Sequence, residues 1–498
     1  MTILNRFAAC ILAALFSASP LPAAEFDARL VEAAQRGDEA TVAELLKRGA
    51  NADAAAPDGA TVLHWAAHLD KLRMAERLIR AGADVNAVNR YGIKPLMPAC
   101  TNGNAGMVGL LLEAGADPNA ATPDGETVLM IAARTGKPES VHALLSHGAK
   151  PNLRENWRGQ TALMWAAAEG HVTTLETLIK AGANRETRSK GGFTAFLFAV
   201  RQGRIGVVRS LRTAGADVNQ RLSSNARRRR AASAQRYGIT ALGLAVANAH
   251  YELAALLLDA GADPNATWQG RGLLHTMTWV RKPGAGSNDP PPPGSGNMTS
   301  LELVRKLVKH GVNVNARMQA RGGGARTSLN MRGATPFLLA ARTADAELMR
   351  LLADLGADPL LPNADKSTPL MVAAGLGVRS PGEDPGTESE VAEAVTLALE
   401  LGNDVNAVDN LGNTALHGAA YKHLASIVSL LVKNGADVKI WNQKNKQGWT
   451  PLRIATGVHR GMNFRSSPKT AATIRKVMIA AGVSTVLEPE TNISGATR

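Results

Sequence analysis

The side chains in this 498-residue chain that could do chemistry are three histidines, an arginine run and scattered aromatic residues. His64, His275 and His417 could supply imidazole ligands to zinc, an ion that proteins bind through clustered histidines, cysteines and carboxylates. The three lie in separate parts of the sequence, and none has a second ligand beside it. We therefore expect a structural role for them, and no metal or other cofactor.

Catalytic chemistry leaves local sequence patterns, and the common ones are missing from this chain. It has no Gly-x-Ser-x-Gly elbow, no Gly-x-x-x-x-Gly-Lys phosphate loop, no paired-cysteine zinc motif and no His-Glu-x-x-His helix. We expect the chain not to be an enzyme and name no catalytic residue. An accessory subunit of an exported enzyme, acting through inserted loops, is an alternative.

Composition and charge narrow the classes of fold and partner. The hydrophobic fraction of 45% excludes a largely disordered chain, and the aromatic fraction of 4% indicates a core of Ala, Leu and Val. The formal net charge of +14 favours acidic partners. Anionic lipid head groups, acidic proteins and nucleic acid all fit that charge.

Residues 1–24 have the pattern of a secretory signal peptide. Arg6 precedes an apolar stretch from Phe7 to Phe16, which is too short to span a bilayer comfortably, and small residues follow up to Ala24. We expect cleavage near Ala23 or Ala24, with an uncleaved anchor as the alternative. The protein would then be exported, periplasmic or secreted, with no transmembrane span and with Cys100 as its one cysteine.

Two short phrases recur along the chain in a fixed phase. One leads each unit, as in Thr-Val-Leu-His-Trp-Ala-Ala from Thr61 or Thr-Ala-Leu-His-Gly-Ala-Ala from Thr414. The other, Gly-Ala-Asp/Asn and its variants, closes each unit, and its base period is 33 residues. Its glycines are Gly49, Gly82, Gly115, Gly148, Gly182, Gly215, Gly261, Gly311, Gly356, Gly402, Gly435 and Gly482.

These phrases resemble the ankyrin repeat, which has a 33-residue period and a Thr-Pro-Leu-His-x-Ala-Ala signature. The resemblance covers nearly everything after residue 26, in about twelve units of an exported, bacterial type. It implies an all-α solenoid of stacked helix-turn-helix units with β-hairpin loops. It also implies that the signature histidines bond to the backbone between units.

The local chemistry fits this arrangement. The threonine of each leading phrase can cap a first helix, and a proline after it suits the first turn, where a missing N–H costs nothing. Alanine pairs such as Ala66 and Ala67 let that helix approach its neighbour. The glycine of the closing phrase supplies a left-handed turn after the second helix.

Departures from the period define the organisation of the chain. We expect an N-terminal capping repeat at 25–57, regular repeats at 58–219, an arginine-rich insertion at 220–236, further repeats at 237–485 and a tail at 486–498. Other insertions are expected near 282–298, 317–332, 380–390 and 459–469. The segment from Arg271 to Ala316 is the most degenerate internal unit.

Residues beside the hairpin turn and after the alanine pair face the concave surface of ankyrin proteins. Tyr, Trp and Arg at such positions are the types that dominate binding hot spots. Trp65 and Trp165, in contrast, are expected to pack within the stack. The resemblance therefore implies partner contacts by Tyr91, Trp157, Arg158, Phe193, Arg201, Tyr237, Arg342, Tyr421 and Trp449.

A second binding mode is indicated by the run Arg227, Arg228, Arg229 and Arg230, in an insertion without acidic residues. The signal peptide argues against a nuclear or nucleic-acid role, whereas anionic envelope lipids or an acidic protein would fit. Our main expectation is a monomeric, non-catalytic scaffold that binds an unidentified protein through its concave face. A basic-loop binder of an anionic surface or acidic partner is the alternative.

Overall fold

The computed structural model describes residues 23–223, 238–283, 292–319, 329–378, 385–460 and 463–487. The chain forms two compact units, Met1–Ala216 (unit 1) and Asp217–Arg498 (unit 2). The described residues form 25 α-helices and one two-stranded antiparallel hairpin. No described helix has the length and apolar character needed to cross a membrane.

Unit 1 consists of helix pairs in which a first helix and a second helix run back against each other. Neighbouring first helices pack side by side, as α7 does on α5 and α9. The helices are α1 Ala23–Gln35, α2 Glu39–Lys47, α3 Val62–His68, α4 Leu72–Arg80, α5 Leu96–Asn102, α6 Ala105–Glu113, α7 Val128–Thr135, α8 Pro138–Ser146, α9 Ala162–Glu169, α10 Val172–Lys180, α11 Ala195–Arg201 and α12 Ile205–Thr213.

Unit 2 repeats the same arrangement with longer connections. Its elements are α13 Ala241–Ala247, α14 Tyr251–Asp259, α15 Leu273–Arg281, α16 Ser300–Lys309, α17 Pro336–Arg342, α18 Ala346–Asp354, α19 Pro369–Ala373, α20 Glu388–Glu400, α21 Ala415–Lys422, α22 Ala425–Lys433, α23 Val438–Trp441, α24 Pro451–Thr456, β1 Val458–Arg460, β2 Asn463–Arg465 and α25 Pro468–Ala480. The all-α repeat architecture expected from the sequence is confirmed.

The first helices begin where the leading phrases predict. Thr127 Oγ1 accepts a hydrogen bond from the backbone N–H of Met130, and Thr335 caps Leu338 in the same way. Such caps satisfy N–H groups that have no partner inside the helix. The closing glycine also behaves as predicted, because Gly115 has a φ of +92°, in the left-handed region that glycine adopts without strain.

The core of each unit is a seam of small residues between first helices and a row of leucines behind it. Ala66 and Ala67 of α3 are completely buried, so that neighbouring helices pack without a bulky side chain between them. Leu111, Leu144 and Leu178, from three consecutive second helices of unit 1, are also completely buried. Because a helix pair alone cannot enclose these residues, each pair depends on its neighbours.

Asparagines join consecutive hairpins through both atoms of the amide, in an arrangement we call the asparagine ladder. Asn119 Nδ2 donates to the carbonyl of Gly148 at 3.2 Å, and its Oδ1 accepts from the N–H of Lys150 at 2.8 Å. One side chain thus satisfies both the turn carbonyl and the first hairpin amide of the following repeat. The ladder asparagines are Asn86, Asn119 and Asn152 in unit 1 and Asn219, Asn265, Asn315 and Asn406 in unit 2.

Two expectations about the insertions need correction. The insertion expected at 380–390 ends earlier, because Thr387 and Glu390 form a capping box that starts α20 at Glu388. The insertion at 459–469 is not a plain loop, since β1 and β2 form a hairpin there and α25 begins at Pro468. The degenerate unit from Arg271 to Ala316 nevertheless forms α15 and α16.

The ladder makes a prediction about stability at its first rung, where Asp53 replaces asparagine. Asp53 Oδ1 accepts from the N–H of Asp84, but a carboxylate cannot donate to the Gly82 carbonyl. Asp53→Asn should therefore raise the free energy of unfolding by about 1 kcal/mol, and Asn119→Asp should lower it by about 1–2 kcal/mol. Urea denaturation monitored by circular dichroism measures both changes.

Asn156→Asp is the matched control, because Asn156 is exposed at a hairpin and is not part of the ladder. An Asn119→Asp variant as stable as Asn156→Asp would contradict the role given to the ladder.

Candidate functional site

Two of the aromatic residues singled out in the sequence stand at hairpin tips of unit 1 and face solvent. Tyr91 is 68% exposed and Trp157 is 71% exposed. Exposed Tyr and Trp side chains are candidates for partner contacts, because these residue types dominate binding hot spots. Arg158 places its guanidinium carbon 4.4 Å from the centroid of the Trp157 ring, so the two side chains form one stacked surface.

A buried carboxylate fixes the hairpin that carries Trp157. Glu155 accepts backbone hydrogen bonds from Trp157 at 2.6 Å, from Arg158 at 2.8 Å and from Gln160 at 2.7 Å. Burial acts to raise the Glu155 pKa, but these N–H donors outweigh it and hold the pKa below its ordinary value. Glu155 was not predicted from the sequence. Its position could have indicated its role, because some other hairpins carry Asn or Asp there.

A second stack lies on the next repeat. Phe193 and Phe198 have ring centroids 5.1 Å apart, and the guanidinium carbon of Arg201 lies 5.0 Å from each ring. Phe193 and Arg201 are half-buried, so that each side chain contributes both to the surface and to the packing beneath it. Cation–π contacts of this kind hold the guanidinium in a defined plane.

Trp65 and Trp165 were expected to pack within the stack, and the structure places both as half-buried instead. Each has its indole Nε1 buried without a hydrogen-bond partner. Arg134 lies over the Trp165 ring at 5.4 Å and also forms an ion pair with Glu126 at 2.9 Å. Trp165 on α9 and Arg134 on α7 therefore form a third stack, which was not predicted from the sequence.

The residues predicted as partner contacts in unit 2 differ in how far they are buried. Trp449 and Arg342 are half-buried. Tyr421 is only 5% exposed, and its hydroxyl accepts a hydrogen bond from Asn445 Nδ2 at 3.1 Å. The expectation that Tyr421 faces a partner is therefore corrected, because its side chain packs inward as part of a polar network. Tyr237 and Arg227, Arg228, Arg229 and Arg230 lie outside the described residues.

Two of the signature histidines, His64 and His275, are structural linkers between repeats. His64 Nδ1 accepts from the N–H of Thr61 at 3.1 Å, and its Nε2 bonds the carbonyl of Ile93 in the next repeat at 2.9 Å. His275 likewise connects Gly272 to Ala334. His417 Nδ1 accepts from the N–H of Thr414, and its buried Nε2 has no partner within hydrogen-bonding geometry among the described residues. Among the described residues, no group of His, Cys, Asp and Glu is arranged to hold a metal ion.

The sequence matches known family models over both units. A model described as ankyrin repeats in three copies matches residues 30–122, 129–221 and 387–461, which together make up more than half of the chain. A single ankyrin repeat model matches residues 237–268. The chain belongs to the ankyrin-repeat family. The stacked helix pairs, with their capped first helices and connecting hairpins, are the structure that this family predicts for both units.

Similar proteins include the E3 ubiquitin-protein ligase KEG of Arabidopsis thaliana, which is 27% identical over 58% of this chain. The mouse B-cell lymphoma 3 protein homolog is 35% identical over 27% of the chain, and chicken inversin is 34% identical over 25%. The matched segments span 18%, 24% and 11% of these three relatives, respectively. The similarity is therefore to ankyrin-repeat segments within larger proteins, and ankyrin-repeat segments act as scaffolds for protein–protein interaction.

The buried histidines make the stability of unit 2 depend on pH. Burial lowers the pKa of His275 and His417 to about 4 in the folded chain, below the ordinary value of 6.5. The unfolded chain therefore binds more protons as pH falls from about 6.5 towards 4, and folding stability is lost across that window. At pH 5 each histidine should cost about 2 kcal/mol relative to pH 7.5.

Urea denaturation at pH 7.5 and pH 5, comparing wild type with His275→Asn and His417→Asn, measures this effect. Each variant should lose part of the pH dependence even where its stability at pH 7.5 is lower. His142→Asn, at an exposed position of α8, is the control and should keep the wild-type dependence. Equal pH dependence in all four proteins would refute the assignment.

Proposed function

We propose that this ankyrin-repeat chain is a non-catalytic scaffold that binds a protein partner through the concave side of unit 1. The binding surface consists of the three stacks and of Tyr91, which lies on another hairpin of unit 1; we call it the stacked face. The residues of the three stacks are Arg134, Trp157, Arg158, Trp165, Phe193, Phe198 and Arg201. The observation that carries the proposal is the exposure of Trp157 on a hairpin fixed by a buried carboxylate.

The physical advantage of this arrangement is preorganisation. Covering an exposed tryptophan with a partner stabilises the complex. Association also costs conformational entropy in every side chain that becomes ordered. Glu155 already orders the backbone at Trp157, and Arg158 already lies on the ring. The stacked arginines present their remaining N–H groups in a plane, which suits carboxylates and backbone carbonyls.

The test is affinity capture from a cell-envelope extract, with the partner identified by mass spectrometry and its dissociation constant then measured with purified protein. Tyr91→Ala/Trp157→Ala should weaken binding about 100-fold or more, since aromatic hot spots each contribute about 2 kcal/mol or more. Glu155→Gln should weaken binding by a smaller factor, mainly through slower association, because the tip is less ordered before binding.

Leu360→Ala/Val408→Ala is the matched control, since both residues are exposed apolar side chains at hairpins of unit 2. The control should bind as wild type does. Equal losses in the control and in the Tyr91/Trp157 variant, or no loss in either, would place the partner elsewhere.

We also propose that the protein is exported. The support is the basic and apolar pattern from Arg6 to Ala24, and α1 begins at Ala23, so that cleavage nearby would leave the helix pairs whole. The intact mass of protein recovered from the envelope or medium should correspond to a chain that begins at Ala24 or Glu25. A mass that includes Met1 would contradict cleavage.

A further inference from the structure

Three consecutive hairpins at the start of unit 2 lie against one another and carry a one-sided charge. The N–H of Gln319 donates to the carbonyl of Gly270 at 2.9 Å, and Arg221 Nη1 donates to the carbonyl of Thr267 at 3.1 Å. The middle hairpin, closed by the pairing of Trp268 with Arg271, is therefore in direct contact with both neighbours.

The sequence segments 218–240, 264–275 and 314–335, of which 224–237 and 320–328 lie outside the described residues, contain no aspartate, glutamate or lysine, so all of their cationic side chains other than histidine are arginines. The described ones are Arg221, Arg271, Arg317 and Arg332, which we call the arginine edge. Arginine binds carboxylates through two parallel N–H donors, whereas lysine offers a point charge. Arginines on segments that contain no carboxylate of their own can offer their free N–H donors to an anion outside the chain.

Arg271, in the middle hairpin, is the decisive residue. It is half-buried, and its guanidinium carbon lies 4.3 Å from the centroid of the Trp279 ring. Its Nε is buried and has no hydrogen-bond partner within the part of the chain that the structure describes. Among the described residues, no carboxylate forms an ion pair with Arg271. Burial without an anion also lowers its pKa. A half-buried cation that lacks an anion is costly for a fold, and a bound carboxylate would remove that cost.

We propose that the arginine edge binds an acidic polypeptide segment, with one of its carboxylates on Arg271 and others on Arg221 and Arg317. This surface belongs to unit 2 and goes beyond the function proposed for the stacked face. None of the exposed large apolar side chains of the described chain lies in these three hairpins, so they offer nothing to insert into a bilayer or to stack on bases. A flexible acidic side chain reaches a recessed guanidinium, whereas a flat lipid surface does not.

The experiment is fluorescence anisotropy with a fluorescein-labelled octaglutamate peptide and the full chain, at about 50 mM salt, where exposed charges are only partly screened. Arg271→Gln should weaken peptide binding at least tenfold, and Arg271→Lys should weaken it by an intermediate factor. The double variant Arg221→Gln/Arg317→Gln should weaken it at least fivefold. Arg73→Gln, which removes the same charge from an exposed position on α4, should change binding less than twofold.

Thermal unfolding of each variant separates loss of binding from loss of fold. Arg271→Gln should melt no lower than wild type, because it removes an uncompensated charge. Unchanged peptide binding in a folded Arg271→Gln variant would overturn the proposal. So would an effect confined to replacement of Arg227 to Arg230 by serine, or tighter binding of wild type to phosphatidylglycerol vesicles or to oligo-dT than to the peptide.

Discussion

Seven junctions between consecutive helix pairs depend on the hydrogen bonds of one asparagine side chain each. The amide satisfies a carbonyl and an N–H of the following repeat together, as Asn152 does for Gly182 and Asn184. No other side chain of that length offers a donor and an acceptor side by side. The ladder therefore fixes the spacing of the hairpins, while the buried alanine seam and leucine row supply most of the stabilising burial.

Because the ladder and the helix caps satisfy the backbone N–H and C=O groups, the side chains at the hairpin tips are not needed to stabilise the fold. Asn89 accepts from the N–H groups of Tyr91 and Ile93, and Glu155 does the same for Trp157 and Gln160. The side chain at the tip contributes to neither network. Tyr91 and Trp157 can thus be exposed without loss of the fold. The side chains at the tips can therefore differ from repeat to repeat while the helix pairs keep the same structure.

The fold was predictable because its signals are local and periodic: a threonine cap, an alanine pair and a left-handed glycine in fixed phase. The site was only partly predictable, because exposure depends on neighbours that the phrase does not contain. Tyr421 has the position expected of a surface residue, yet Asn445 from the following hairpin closes over its hydroxyl. Trp165 looked like a core residue, but the helix packing leaves part of its ring for Arg134 to cover.

The two units use arginine in physically different ways. In unit 1 the exposed rings accompany the arginines, and Arg134 already has Glu126 as a counter-ion, so apolar burial would dominate binding there. At the arginine edge of unit 2 the guanidinium of Arg271 has a ring on one side and no carboxylate partner among the residues that the structure describes, so charge neutralisation would dominate. Apolar burial is insensitive to moderate salt, whereas attraction between exposed charges is screened by it. Salt should therefore weaken the binding proposed for the arginine edge and leave the binding proposed for the stacked face nearly unchanged.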